Sequence, residues 1–339
     1  VQWYDASIYE IYHAEDFLNW HIGLEGLSMV MSFCIFFISL YTMEKNQNLR
    51  TTAFLNTFLS VGLLDVMHTL NYKGMPDFLT ESSAATATSF WIAARLTAAA
   101  GLLAAGLVKR NYTVRIHRFV FVSASLLYSG IVIYLISFRQ DLMPPLFIEG
   151  IGLTPLKVGL EYVIIVLQLA AIFLFYRIYK TGEETEEYKY IILSLLLSIF
   201  SELVFTQYTN VYDTYNLLGH IYKIAAYYLI FKGKFVLNVQ RPFLALQKTE
   251  RKLAEYANSL EFQVETRTKE ITTANEKLLN DMDYARNIQT ALLPSSFPKS
   301  DKLQFAARYL PCEKIGGDFY NVFRLDEDNF GILIGDVTK

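Results

Sequence analysis

Seven predominantly apolar runs, each near the length that carries an α-helix across a bilayer, constrain this chain more than any other feature. They are Leu24–Met43, Thr52–Leu70, Ala85–Val108, Phe119–Phe138, Leu156–Ile178, Tyr190–Tyr208 and Leu217–Leu237. A spanning helix needs about 20 such residues, because lipid offers no hydrogen-bond partner to a bare peptide group. Hydrophobic residues make up 53% of the 339, but they are unevenly placed. Up to about Phe231 the chain is one apolar run after another; from Lys232 it becomes charged and helical. The expected fold is mainly α, with a seven-helix transmembrane bundle followed by a tail of different character.

Alternate connections carry the basic residues: Lys45 and Arg50, then Lys109, Arg110, Arg115 and Arg118, then Arg177, Lys180 and Lys189, then Lys232 and Lys234. The opposite connections offer little beyond Lys73, Arg139 and Lys157. By the positive-inside rule the N-terminus is outside and the C-terminus cytoplasmic. Ahead of the first span, residues 1–20 mix Trp3, Tyr4, Ile8, Tyr9, Ile11, Tyr12, Phe17, Leu18 and Trp20 with Asp5, Glu10, Glu15 and Asp16. That mixture suits a helix lying in the outer interface. In the third span Ala93, Ala94, Ala98 to Gly101 and Ala104 to Gly106 form a face of small residues that allows close helix approach. Cys34 and Cys312 are too few for a disulfide framework or a zinc spacing, no cleavable signal sequence is visible, and a net charge of −3 gives nucleic acid no basic platform.

Ionisable residues at bilayer depth are expensive, so each one marks a site by default. This chain has His21 and Glu25 in the first span region, Asp65 and His68 in the second, Arg95 in the third, Glu161 in the fifth, Glu202 in the sixth, and His220 and Lys223 in the seventh. With the orientation above, nearly all fall in the outer half. His21/Glu25 at i,i+4 and Asp65/His68 and His220/Lys223 at i,i+3 each share one helix face. Three imidazoles with Glu25, Asp65 and Glu202 suit a transition metal, and two imidazoles suit haem iron. The same set suits a polar organic ligand held by Arg95 and Lys223, an ion-pair network that fixes helix register, or a proton path. The topology predicts that His68 and His220 sit at similar depth and face one another.

Residues 238–293 read as a dimerisation and signalling helix. One heptad seam is Ala257, Val264, Ile271, Leu278, Ala285 and Leu292, and the other is Leu253, Leu260, Arg267, Ala274, Asp281 and Ile288. Sustained over several heptads, this predicts a parallel coiled coil between two copies of the chain. Pro294 and Pro298 end it.

The tail then presents Gly316-Gly317-Asp318-Phe319-Tyr320 and Gly335-Asp336-Val337, joined by the strand-like apolar run Phe330-Gly-Ile-Leu-Ile-Gly. A carboxylate ending a buried strand calls for a cation or a hydrogen-bond network, and two oxygen donors favour Mg²⁺ or Mn²⁺ over softer metals. Together with Ala285-Arg286-Asn287-Ile288-Gln289-Thr290-Ala291-Leu292-Leu293-Pro294, these residues resemble the opening of the PPM protein phosphatase domain of SpoIIE/RsbU type. The resemblance implies that Asp336 bridges two Mn²⁺ or Mg²⁺ ions and that Asp318 is a second ligand, together catalysing metal-assisted hydrolysis of a phosphoserine or phosphothreonine. The implied substrate is a phosphorylated cytoplasmic regulatory protein of a partner-switching system. The family continues with Gly-His-Gly where this chain shows Thr338-Lys339, so residues 294–339 are expected to be the N-terminal part of the domain, inactive alone.

His68-Thr-Leu-Asn-Tyr-Lys-Gly-Met-Pro76, Phe90-Trp-Ile-Ala-Ala-Arg95 and Gly219-His-Ile-Tyr-Lys223 resemble the bacterial membrane-associated sensor domain of MASE type, third class. The likeness covers about the first 235 residues, with the seven-helix bundle at residues 21–237, and implies sensing at the inner (cytoplasmic) membrane. The rival reading is a transporter or channel with a regulatory tail, which should show internal repeats or broken helices.

Overall fold

The computed structural model describes residues 9–46, 48–109, 113, 116–182, 185–208, 210–311 and 313–337. Among the sequence expectations, those on Trp3, Tyr4, Asp5, Ile8, Arg110, Arg115, Cys312, Thr338 and Lys339, and on the side chain of Lys45, lie outside these residues. The chain divides into two units, one ending at Leu246 and one starting at Gln247.

The first unit is built of helices α1 (Ala14–Asn46), α2 (Leu49–Leu70), α3 (Ala84–Leu107), α4 (Arg118–Phe138), α5 (Pro155–Tyr179), α6 (Thr185–Phe205) and α7 (Thr214–Phe235). Three of them begin at the same end of the bundle on side-chain caps. Ser83 accepts from Thr86 N, Thr154 from Lys157 N and Asp213 from Asn216 N, which satisfies first-turn amides that the apolar surroundings would leave bare. A two-residue hairpin, β1 (Phe147–Ile148) with β2 (Gly152–Leu153), precedes α5.

Among the described residues six helices, α1 to α6, are long and apolar enough to cross a membrane. The expected count of seven is not matched, because α7, which occupies the seventh run, carries His220, Lys223, Lys232 and Lys234 within one helix. It is nonetheless packed into the bundle. α1 contacts α2, α2 contacts α3, α3 contacts α5, α5 contacts α6, α6 contacts α7, and α7 returns to α1. The result is a closed ring of six helices. α4 lies outside it, mainly against α2, and turns Leu126, Leu127, Ile131 and Tyr134 outward.

Small residues set the spacing of the ring. A Cβ on Gly101 of α3 would stand 1.9 Å from Thr57 Oγ1 of α2, and one on Gly219 of α7 would stand 2.4 Å from the Phe205 ring of α6. Ala98, Ala99 and Ala105 of α3 are buried, so its small-residue face is where α3 packs. One end of the ring is filled by apolar side chains, Phe54, Phe58, Phe175 and Ile191 among them. At the other end Phe17, Tyr72, Trp91 and Phe205 wrap a polar centre.

Two expectations are corrected here. Tyr9 to His13 are not helical: Ile11 forms an antiparallel bridge with Asp213, and Tyr12 N donates to Tyr212 O at 3.0 Å. The first turns of α1 take up the aromatic residues instead, burying Phe17 and leaving Trp20 exposed. Lys157 is also no loop residue. It lies in the first turn of α5, fully buried.

The second unit holds most of α8 (Arg241–Leu292), of which no residue is buried, and the antiparallel pair β3 (Asp318–Arg324) and β4 (Phe330–Asp336). Between the strands Asp326 accepts from the amides of Asp328 and Asn329 and from the Asn329 side chain. The Asn329 side chain foremost holds its carboxyl below the usual carboxylate range. The expectation of a buried strand is not met: Ile332, Leu333 and Ile334 of β4 are exposed on both faces. The reason is architectural, since among the described residues β3 and β4 pair only with each other, and Phe297 and Phe305 cover only Tyr320 and Phe330.

Candidate functional site

The polar centre occupies one half of the ring. α1, α3, α5 and α7 reach it with their N-terminal halves and α2 and α6 with their C-terminal turns, so His21, Glu25, Asp65, His68, Arg95, Glu161, Glu202, His220 and Lys223 all lie in the same half of the bundle. All nine are buried. α4, the helix outside the ring, contributes none of them.

Charge is paired in a chain across the ring. Lys223 Nζ stands 2.6 and 2.8 Å from the two oxygens of Glu25 and 3.2 Å from Asp65 Oδ1. Arg95 Nη2 holds Asp65 at 2.8 and 3.1 Å, and its guanidinium lies 4.7 Å from the centre of the Trp91 ring. Such contacts offset the desolvation of buried charges only when the hydrogen bonds are well made. A second group sits on α5 and α6. Lys157 Nζ is 2.7 Å from Glu161 Oε1 and donates to Phe205 O at 2.7 Å, while Glu202 lies against Glu161. Lys157 as part of this group is what the sequence reading missed; its i,i+4 spacing to Glu161 was the available signal.

The three histidines meet at the other side of Lys223. His21 Nε2 and His68 Nε2 are 3.3 Å apart, the His68 and His220 ring centres 6.1 Å, and those of His21 and His220 4.8 Å. His68 Nδ1 donates to Ala87 O at 2.8 Å, since a carbonyl can only accept. This fixes the tautomer, leaving the His68 Nε2 lone pair to face His21. His220 Nδ1 comes within 2.7 Å of Glu25 Oε1 but is out of line for a hydrogen bond, and His21 Nδ1 is buried without a hydrogen-bond partner. Beside His68 and His220, between Trp91, Phe205 and Tyr208, a cavity of about 20 Å³ remains. That is room for about one water.

In the second unit, Asp318 of β3 and Asp336 of β4 are directly opposed across the strands, so both project from the same face. Val337 N donates to Gly317 O at 2.9 Å. A Cβ on Gly317 would stand 2.6 Å from Asp336 Oδ1, and one on Gly316 would stand 2.4 Å from Tyr309 Oη. Gly317 therefore makes the space in which the Asp336 carboxylate sits, and Gly316 makes room for the Tyr309 hydroxyl. Gln289 of α8 clamps the same loop, accepting from Gly316 N at 3.2 Å and donating to Gly316 O. Two exposed carboxylates on one face fit a hard divalent cation that keeps several waters.

Membrane-capable helices closed around a buried ionic centre define a multi-pass membrane protein. The model of the membrane-associated sensor domain MASE3 matches residues 12–242, and the chain belongs to that family. Among characterised proteins, Protein IcfG of Synechocystis sp. is 39% identical over 57 residues, which is 17% of this chain and 9% of that protein's length. No solved structure matches the chain.

Proposed function

We propose that this membrane sensor controls a cytoplasmic metal-dependent protein serine/threonine phosphatase of PPM type through a dimeric helix. The observation that carries the output is the cross-strand pair Asp318 and Asp336, with Gly317 leaving room for one carboxylate and Gln289 holding the loop. These residues bring the separated parts of the sequence pattern to one place. Asp318 and Asp336 would hold Mn²⁺ or Mg²⁺, which when bound supplies an activated water for attack at phosphorus. Asp318 and Asp336 are the residues that would hold the cation, and Gly317 leaves room for the Asp336 carboxylate.

The bundle lies in the inner membrane with its polar centre toward the outside, and the basic ends near Arg50, Arg177, Lys189 and Lys234 toward the cytoplasm. α8 pairs in parallel with a second copy and transmits a change in helix packing to the phosphatase segment. The substrate is a phosphorylated regulatory protein of the cytoplasm.

The test is Mn²⁺-dependent release of phosphate from a phosphoserine peptide by the full-length natural protein in detergent. Asp318→Asn and Asp336→Asn should each lower the rate by at least about 100-fold, the scale on which electrostatic stabilisation at a reacting centre is lost. Equal rates in parent and variants would remove the phosphatase reading.

A further inference from the structure

We infer that His21, His68, His220 and Glu25 form a binding site for one transition-metal cation, Zn²⁺ in the first instance, within the membrane ring. The inference names a ligand for the sensor proposed above, but its binding evidence does not depend on that output.

Convergence is the first ground. One ring nitrogen from each histidine and one oxygen of Glu25 all lie within 4.8 Å of one another. Bonds of about 2.0–2.1 Å in a tetrahedral zinc site place neighbouring ligand atoms roughly 3.3 Å apart. His21 Nε2 and His68 Nε2 already stand 3.3 Å apart. His220 Nδ1 and Glu25 Oε1, at 2.7 Å, need only open slightly.

Preparation of the donors is the second. The hydrogen bond from His68 Nδ1 to Ala87 O directs the Nε2 lone pair inward, which is how metal-bound imidazoles are ordinarily held. His220 Nδ1 is buried and its close approach to Glu25 is misaligned for a hydrogen bond, while His21 Nδ1, free of any hydrogen bond, is available to carry the proton when Nε2 turns its lone pair to a metal. Leaving such groups bare inside a bundle is costly. A cation accepting the His220 Nδ1 lone pair removes that cost there.

The third ground is that the one built-in competitor has somewhere to go. Lys223 occupies both oxygens of Glu25, but it also reaches Asp65 Oδ1 at 3.2 Å and sits 4.8 Å from the Trp91 ring centre. When Glu25 turns one oxygen to a metal, Lys223 keeps the other or shifts to Asp65. Three neutral imidazoles and one carboxylate select Zn²⁺, Cu²⁺, Ni²⁺ or Co²⁺ over Mg²⁺ and Ca²⁺. The cavity of about 20 Å³ beside His68 and His220 takes one further small ligand on the metal, such as water.

The experiment uses the full chain purified in detergent, stripped with a chelator, and titrated with ZnCl₂ and separately with CoCl₂. The expected result is one metal per chain by elemental analysis, and visible bands of tetrahedral Co²⁺. His21→Ala, His68→Ala, His220→Ala and Glu25→Gln should each weaken binding by more than the roughly 10–100-fold cost of losing a supporting group. His13→Ala and His117→Ala, which alter exposed histidines, should not change it. Circular dichroism separates unfolded variants from folded ones, and Co²⁺ spectra of the folded parent stand without any variant. No stoichiometric metal on the parent, or binding that survives all four substitutions, overturns the site while leaving the phosphatase reading intact. Metal binding with an unaltered phosphatase rate upholds the site and removes it from the signalling path.

Discussion

Lys223 and Glu25, 198 residues apart in the chain, form a bidentate pair at 2.6 and 2.8 Å where neither side chain is reached by solvent. It joins α7 to α1, and so closes the ring between its last helix and its first. Breaking a buried pair from one side leaves an uncompensated charge and costs about 3–5 kcal/mol. Lys223→Met should therefore destabilise the bundle by that order in a thermal unfolding series in detergent. Lys223→Met combined with Glu25→Gln should recover most of it. A single variant as stable as the parent would show that the pair contributes nothing to closure.

The α2 and α3 contact makes a steric prediction. Gly101→Ala places a methyl 1.9 Å from Thr57 Oγ1, so the two helices must separate at a cost of about 1–3 kcal/mol. Thr57→Ala removes the hydroxyl and methyl but leaves the Thr57 Cβ position at 2.8 Å. The double variant should accordingly regain part of the lost stability. Additive losses in the two variants would place the strain elsewhere.

Helix positions were legible because twenty-residue apolar runs have few other fates in a chain with so little polar sequence between them. The residues of the polar centre were legible for a related reason: a His or Glu in such a run must be buried against a partner. What could not be read was partnership. Nothing in the sequence says that α4 stays outside the ring, although it alone lacks an ionisable member of the set. Lys157 passed for a connection charge because it stands second in its apolar run, and the cap at Thr154 shows that α5 starts before it. The exposed faces of β4 escaped notice because an apolar run signals burial without saying by what.

α8 carries the dimer prediction. Leu253, Leu260, Val264, Ile271, Leu278 and Ile288 are all more than half exposed in the single chain. A seam of that length stays in water only if nothing pairs with it, and each apolar residue buried there contributes about 1.5–3 kcal/mol. Ile271→Asp with Leu278→Asp should lower the mass measured by light scattering from that of two chains to one. Identical masses for parent and variant would mean the seam does not hold the copies together.

The last prediction concerns the charge balance of the centre. Four buried carboxylates, Glu25, Asp65, Glu161 and Glu202, face three buried cations, Arg95, Lys157 and Lys223. Glu25 and Asp65 are well held by Lys223 and Arg95, and Glu161 stands 2.7 Å from Lys157. Among the described residues Glu202 is the one of the four without a salt bridge, and its Oε2, like both oxygens of Glu161, is buried and lacks a hydrogen bond. Glu202→Gln removes the surplus negative charge and supplies an amide donor toward Glu161. Replacing a buried ionic group by a neutral one of similar shape is often neutral or stabilising. Thermal unfolding of Glu202→Gln should thus fall within about 1 kcal/mol of the parent or above it, a change small enough to be ordinary for a conservative substitution. Glu161→Gln should behave differently, because Lys157 then loses its salt bridge and keeps the Phe205 carbonyl and the face of Tyr208; a loss of about 3 kcal/mol is expected for a buried cation deprived of its anion. Equal losses in the two variants would mean that Glu161 and Glu202 share Lys157 evenly and that neither is in surplus.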